Sequence, residues 1–263
     1  MRIRRHITPD RDRGFTLAEA IIVIVLTGIL AAAVAVFLRA PVGAYLDVAR
    51  RAELTDIADT ALRRIGRDLR LALPNSIRVT AGNTAIEFIP VKSAGRYRAD
   101  GPGNVLDFTA AADTFDVIGP GVDVAVNDFM VIFNLGIAPA DAYQTLANIN
   151  RRPATTTGTA LTTVGFNGGA FPFASPAKRF HIVGTPVSYI FAGGLLTRYW
   201  NYAYGALPTT GTSAVLASNV SGCLFTYAAG VTAQNGLVTL VLAVTKDGET
   251  VNLVQQTHVS NVP

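Results

Sequence analysis

Residues 20–38 run for nineteen positions without a charge, and the residue just before them, Glu19, is a carboxylate. A helix of about 20 apolar residues spans the hydrocarbon core of a bilayer, so this run reads as a membrane segment. A carboxylate costs roughly 2.5–3.5 kcal/mol at the centre of such a helix and less near the interface, so Glu19 needs a partner. Charge orients the segment. Residues 1–14 hold five arginines against two aspartates, which places the N-terminus in the cytoplasm and sends the rest across the membrane. Residues 71–263 balance at ten basic and ten acidic side chains. The formal charge of +4 therefore marks no basic stripe downstream, and no nucleic-acid partner is expected.

A secretory signal is cut after its apolar stretch, at a small-x-small pattern. Here the order is inverted: the charged leader ends at Gly14, and the apolar run follows Gly14-Phe15-Thr16-Leu17-Ala18-Glu19. This pattern resembles the class III leader of type IV prepilins and type II secretion pseudopilins. The resemblance implies that a prepilin peptidase in the inner membrane cuts between Gly14 and Phe15 and methylates the new Phe15 amine. It also implies assembly with other minor and major pilins, Glu19 meeting the Phe15 amine of a neighbouring subunit within the lipid. Within one chain the two groups stand at i, i+4, which is also reachable. Two plainer readings stay open: Glu19 at the interface, favoured by the helix N-terminal dipole, and an uncut signal anchor.

Beyond the membrane run, Leu54, Ile57, Ala58, Ala61, Leu62, Ile65, Leu69 and Ala72 recur every three or four residues. They form one apolar stripe, with Arg50, Arg51, Glu53, Asp56, Asp59, Arg63, Arg64, Arg67 and Asp68 on the other faces. Pro41 and Gly43 interrupt the two halves and predict a kink; Pro74-Asn75 ends the element. The expected fold class is α+β, similar to type IV pilins: a long N-terminal helix on an antiparallel β-sheet head. The expected boundaries are a cleaved leader at 1–14, a helix at 15–73 and a β-rich head at 74–263. The helix divides into a transmembrane part (15–38) and an amphipathic part (44–73).

In the head, residues 85–91, 105–109, 115–118 and 129–134 read as strands, 139–147 as a short helix, and 155–175 as a long loop with one or two short strands. Residues 186–192 and 195–202 flank Gly193-Gly194, a two-residue hairpin signal. Residues 222–228, 236–245 and 250–259 predict a further antiparallel set, the last pair joined at Asp247-Gly248. Val238, Leu240, Leu242 and Val244 alternate with smaller or polar residues. Val251, Leu253 and Val259 face one way while Asn252, Gln256 and His258 face the other. Such a sheet has one buried face, expected to rest on the stripe of residues 54–72. Val187-Ser188-Tyr189 with Gly193-Gly194-Leu195-x-x-Arg198-Tyr199 resembles the hairpin of J-type minor pseudopilins. The ending, residues 236–263, resembles O-type minor pilins of the mannose-sensitive haemagglutinin (MSHA) pilus. The resemblance also implies a cysteine near Phe191 to pair with Cys223; here that position is phenylalanine, so packing must replace a bridge.

Little in the head reads as chemistry. His6, His181 and His258 have no metal-ligand spacing with each other or with Cys223. Lys92, Lys178 and Lys246 lack the glycine frame of a P-loop. Asp123, Asn127 and Asp128 offer oxygens of the kind calcium accepts but fit no EF-hand loop, and read as loop residues. Cys223 reads as a buried small hydrophobe. Tyr199, Trp200, Tyr202 and Tyr204 cluster after the hairpin and read mainly as core. Neither an enzyme nor a cofactor is expected. The expected function is that of a minor pilin, tip-located because a head of about 190 residues would strain helical packing on every subunit. The alternatives are a J-type pseudopilin and a tip adhesin using the aromatic cluster or the 155–175 loop.

Overall fold

In a computed structural model of the chain, residues 14–109, 113–144, 149–205, 211–230 and 235–263 are described. The leader's arginines, His6 and residues 145–147 of the expected short helix lie outside them. The chain divides into two compact units, Met1–Arg50 and Arg51–Pro263. One helix, α1 (Leu17–Arg70), contributes to both and continues through Pro41 and Gly43 without interruption. Arg67 and Arg70 occupy its last turn, where cations suit the negative end of the dipole. The backbone then tightens: Leu71 N–H bonds to the Asp68 carbonyl and Ala72 N–H to that of Leu69, both at 3.1 Å.

Antiparallel strands follow. First come β1 (Arg78–Val79) and β2 (Ala85–Phe88). A long insert then carries β3 (Val91–Tyr97), β4 (Thr114–Ile118), β5 (Val122–Val124) and β6 (Phe129–Val131). It continues with β7 (Arg151–Pro153), β8 (Gly158–Leu161), β9 (Thr163–Gly165) and β10 (Arg179–Val183). The chain returns through β11 (Val187–Ala192), β12 (Leu195–Trp200) and β13 (Thr212–Ala217). It finishes with β14 (Val220–Ala228), β15 (Gly236–Lys246) and β16 (Glu249–Val259). The architecture is α+β, a long apolar N-terminal helix followed by antiparallel sheets.

The first core joins α1 to two sheets, ordered β1-β2-β11-β12-β13 and β14-β15-β16. Leu54, Ala58, Ala61, Leu62, Ile65 and Leu69 are buried against Ile86, Phe88, Tyr189, Phe225, Leu240 and Leu242, so the stripe does meet the sheets. Val238, Leu240, Leu242 and Val244 are all fully buried, as their alternation predicts. Gly193 (φ 58°) and Gly194 (φ 76°) join β11 to β12, and Asp247 (φ 51°) with Gly248 (φ 84°) joins β15 to β16. Paired positive φ values are those of the type I′ turn that two-residue hairpins favour. Gly66 brings α1 close to β16, since a Cβ there would collide with the Gln255 amide. Asp68 departs from the expected wet face. Its carboxylate is largely buried, accepting Tyr189 O–H at 2.7 Å and Arg198 Nε–H at 3.0 Å.

The second core belongs to the insert. Its sheet runs β7-β6-β10-β3-β4-β9, with β5 and β8 paired separately. Phe115 lies at the centre, with the rings of Phe180, Tyr97 and Phe166 at 5.0, 6.3 and 6.3 Å. β2 and β11 pair directly, Ser188 opposite Glu87, so the whole insert emerges between two neighbouring strands. A smaller cluster of Leu73, Ile89, Val131, Ala142, Tyr143 and Val183 seals its root.

Several expectations need correction. Residues 85–91 are not one strand: β2 stops at Phe88 and β3 starts at Val91, because Pro90 between them has no N–H to give a ladder. Residues 105–109 form no strand; Leu106 N–H bonds to the Arg98 carbonyl, and Leu106 and Phe108 pack into the insert's core. The 129–134 strand ends at Val131, before Phe133 takes a positive φ of 52°. In place of the expected helix, residues 137–144 make turns, with Ile137 and Ala140 bridged. Residues 155–175 do hold two short strands, β8 and β9.

Because the stripe on α1 fills the first core, Ile65→Ala should cost about 2–5 kcal/mol. Val254→Ala, on the exposed face of β16, should stay within about 0.5 kcal/mol. Denaturant unfolding of the detergent-solubilised chain, followed by the fluorescence of Trp200 beside that core, measures both.

Candidate processing and assembly site

Gly14, Phe15 and Thr16 precede α1 and are exposed. Thr16 is the N-cap. Its Oγ1 accepts the Glu19 N–H at 3.2 Å, while its own N–H and O–H donate to Glu19 Oε2 at 3.5 and 3.4 Å. This is a Thr-x-x-Glu capping box, in which cap and third residue satisfy each other's orphan groups. Sequence reasoning singled out Phe15 and Glu19 and missed Thr16, although the spacing was legible. In the uncut chain the Phe15 nitrogen is an amide, and Glu19 turns to Thr16 instead. Among the described residues, a Cβ on Gly14 would meet nothing within 4 Å.

Downstream of the cap, the helix exposes apolar residues on every side. Leu17, Ile24, Ile29, Leu30, Val36 and Phe37 are all more than half exposed. A helix that is apolar all round belongs among lipid or other helices. Among the described residues, one helix is long and apolar enough to cross a membrane, with a mean hydropathy of 3.1 in its best window. The hydroxyl of Thr27 needs no outside partner, donating to the Val23 carbonyl at 2.7 Å and to that of Ile24 at 3.1 Å.

Residues 9–35 match the family model of the prokaryotic N-terminal methylation motif. No curated protein and no solved structure matches the chain. The matched segment carries Gly14, Phe15, Thr16 and Glu19 together with most of the exposed apolar run. It supports a type IV pilin or pseudopilin precursor processed by prepilin peptidase. Together with the exposed helix, it fits anchoring in the inner membrane.

The other residues singled out in the sequence take structural places. Tyr202 O–H donates to the fully buried Glu87 at 2.8 Å, beside Arg78, whose Nε–H reaches the same carboxylate at 2.6 Å. Tyr204 O–H donates to the Gly184 carbonyl at 2.6 Å under the guanidinium of Arg151, 3.5 Å from the ring centre. Trp200 borders the first core. Asp123 accepts the Ala160 N–H at 2.9 Å, whereas the buried Asp128 pairs with Lys92 and caps Ala125 N–H. Among the described residues no cluster of potential metal ligands forms. Cys223 is buried opposite Leu242, and Phe191 packs against the same core. Burial pushes its thiol up to about 12.

His181, on β10, is held down to about 4 by burial, with the charge of Arg179 adding to the effect. The unfolded chain, near 6.5, therefore binds more protons between these values. The stability that neutral His181 brings is whole above pH 6.5 and declines as pH falls towards 4. That loss should reach about 3 kcal/mol, and His181→Gln should flatten it in unfolding curves recorded from pH 7 to pH 4. Cys223, as a high-lying buried thiol, should resist iodoacetamide at pH 8 in the native chain and react once urea unfolds it.

Proposed function

We propose that this chain is a minor subunit of a type IV pilus-like filament, of the MSHA O-type, that helps to initiate or cap assembly. In this reading, residues 1–14 form the leader, 15–73 the helix and 74–263 the head. Prepilin peptidase cuts between Gly14 and Phe15 and methylates Phe15. Glu19 then meets the Phe15 ammonium of a neighbouring subunit, cancelling two charges within the apolar phase. The observation that carries the reading is the position of the methylation motif, at the mouth of a helix whose large apolar side chains are exposed from Leu17 to Leu38.

A tip-located role is supported by bulk, since the insert from β3 to β10 adds a second core to the head. The MSHA assignment rests on the ending, residues 236–263. The second reading, a J-type pseudopilin of type II secretion, rests on the resemblance of the β11–β12 hairpin sequence, whose Arg198 donates to Asp68 of α1.

Mass spectrometry of the chain purified from its native membrane should find an N-terminus at N-methylated Phe15. Gly14→Lys should retain the leader. Glu19→Leu should be inserted and cut yet missing from sheared filaments. An intact leader on the native product would defeat the processing reading, and wild-type incorporation of Glu19→Leu would defeat the assembly role of Glu19.

A further inference from the structure

The insert's six-stranded sheet has an inner face that fills the second core and an outer face that is only partly covered. Its register places Arg179 directly opposite Arg96, and Arg96 opposite Ile118, so these three side chains share one face. His181 and Ala94, one pair further along, lie on the same face. Like charges directly opposite each other on a sheet are destabilising unless something neutralises them. Nearby cations have carboxylates: Lys178 pairs with Asp100 at 3.1 Å, and Arg98 with Asp116 at 3.3 Å. Neither Arg96 nor Arg179 has an ion-pair partner among the described residues.

The two arginines border a shallow depression of about 330 Å³, with Ala94, Ile118 and Pro120 supplying apolar lining. Through Arg96 and Ile118 it adjoins a second depression of about 280 Å³ beside Arg98 and Lys178. His181 lines the first, and its Nδ1 is cut off from solvent with no hydrogen-bond partner among the described residues. Two guanidiniums held opposite each other without a counter-charge are costly, unless a ligand neutralises them. Guanidinium groups bind oxyanions through paired N–H donors, and an apolar surround strengthens such bonds.

We propose that Arg96 and Arg179, with the ring of His181 lining the depression beside them, form a binding site for an oxyanion group of the sulfate or carboxylate kind, on the outer face of the insert. The site goes beyond the filament reading and does not depend on it, since nothing in it needs the N-terminus to be cut. The open shape suits a charged group at the end or side of a larger ligand as well as a free anion. The inner-face residue opposite Phe180 is Gly95, whose missing Cβ makes room for that ring, so the packing that sets this register lies on the other side. Changes at Arg96 and Arg179 therefore remove charge without touching the core.

The test uses the full chain in detergent, labelled for NMR, titrated with sodium sulfate against sodium chloride at equal ionic strength. Sulfate should shift the His181 ring signals saturably, and R96Q/R179Q should weaken that response at least tenfold. The double variant should be no less stable than the native chain, because a like-charge pair is relieved, and Arg67→Gln on α1 should change nothing. A repeat with dextran sulfate at equal sulfate content separates the sources: tighter binding assigns the group to a polymer, and equal binding assigns it to a free anion. Chloride shifts matching those of sulfate, or an unchanged response in the folded double variant, would overturn the site.

Discussion

The structure depends on a single helix that answers to two solvents. Up to Leu38 the described part of α1 is apolar and exposed on all sides, which water does not tolerate over so long a stretch. From Leu54 the apolar residues narrow to a stripe, and most of that stripe is buried in the first core. The stripe cannot be satisfied without the sheets, nor the sheets without the stripe. Asp68 adds direction to this apolar contact. A largely buried carboxylate that accepts from Tyr189 and Arg198 fixes where α1 meets the β11–β12 hairpin, which burial alone would leave free to slide.

The insert shows how such a frame can be enlarged. Because β2 and β11 are hydrogen-bonded neighbours, the chain may leave one and return to the other with any number of residues between, provided the root is closed. Closure here is both apolar and ionic. Leu73, Ile89 and Val183 pack together, while Arg78 spans the fully buried Glu87 and the ring of Tyr143, 3.6 Å away. Arg151 repeats the device over Tyr204. A buried carboxylate without such partners would be strongly destabilising, so Glu87, Arg78 and Tyr202 stand or fall together.

Much of this was legible in the residues, wherever a period or a turn signal was strong. The stripe from Leu54 to Leu69, the alternation of Val238 to Val244, and the Gly193-Gly194 and Asp247-Gly248 turns all have local causes, and each stands where its pattern pointed. The insert was less legible for a physical reason. Its strands are short, and β7 and β10 hold only one and three buried residues, too few to make a readable pattern. Residues 105–109 and 129–134 failed in the opposite sense: apolar content there serves burial of irregular chain rather than a ladder. At the candidate site, Gly14, Phe15 and Glu19 were readable as a motif, whereas the pairing of Arg96 with Arg179 exists only in the register.

Glu19 ties the local and the functional arguments together. In the uncut chain its partners are the N–H and O–H of Thr16, neutral donors at the long end of the hydrogen-bond range. In the proposed pathway, cleavage creates an ammonium on Phe15, and bonds to a charged donor are roughly twice as strong as those between neutral groups. The carboxylate then gains by exchanging its own cap for the cation of another chain, and the low dielectric around the apolar helix enlarges the gain. Before cleavage no such cation exists, so the capping box keeps the carboxylate occupied and the helix start intact. The order of events, processing first and association second, then follows from the chemistry of one side chain.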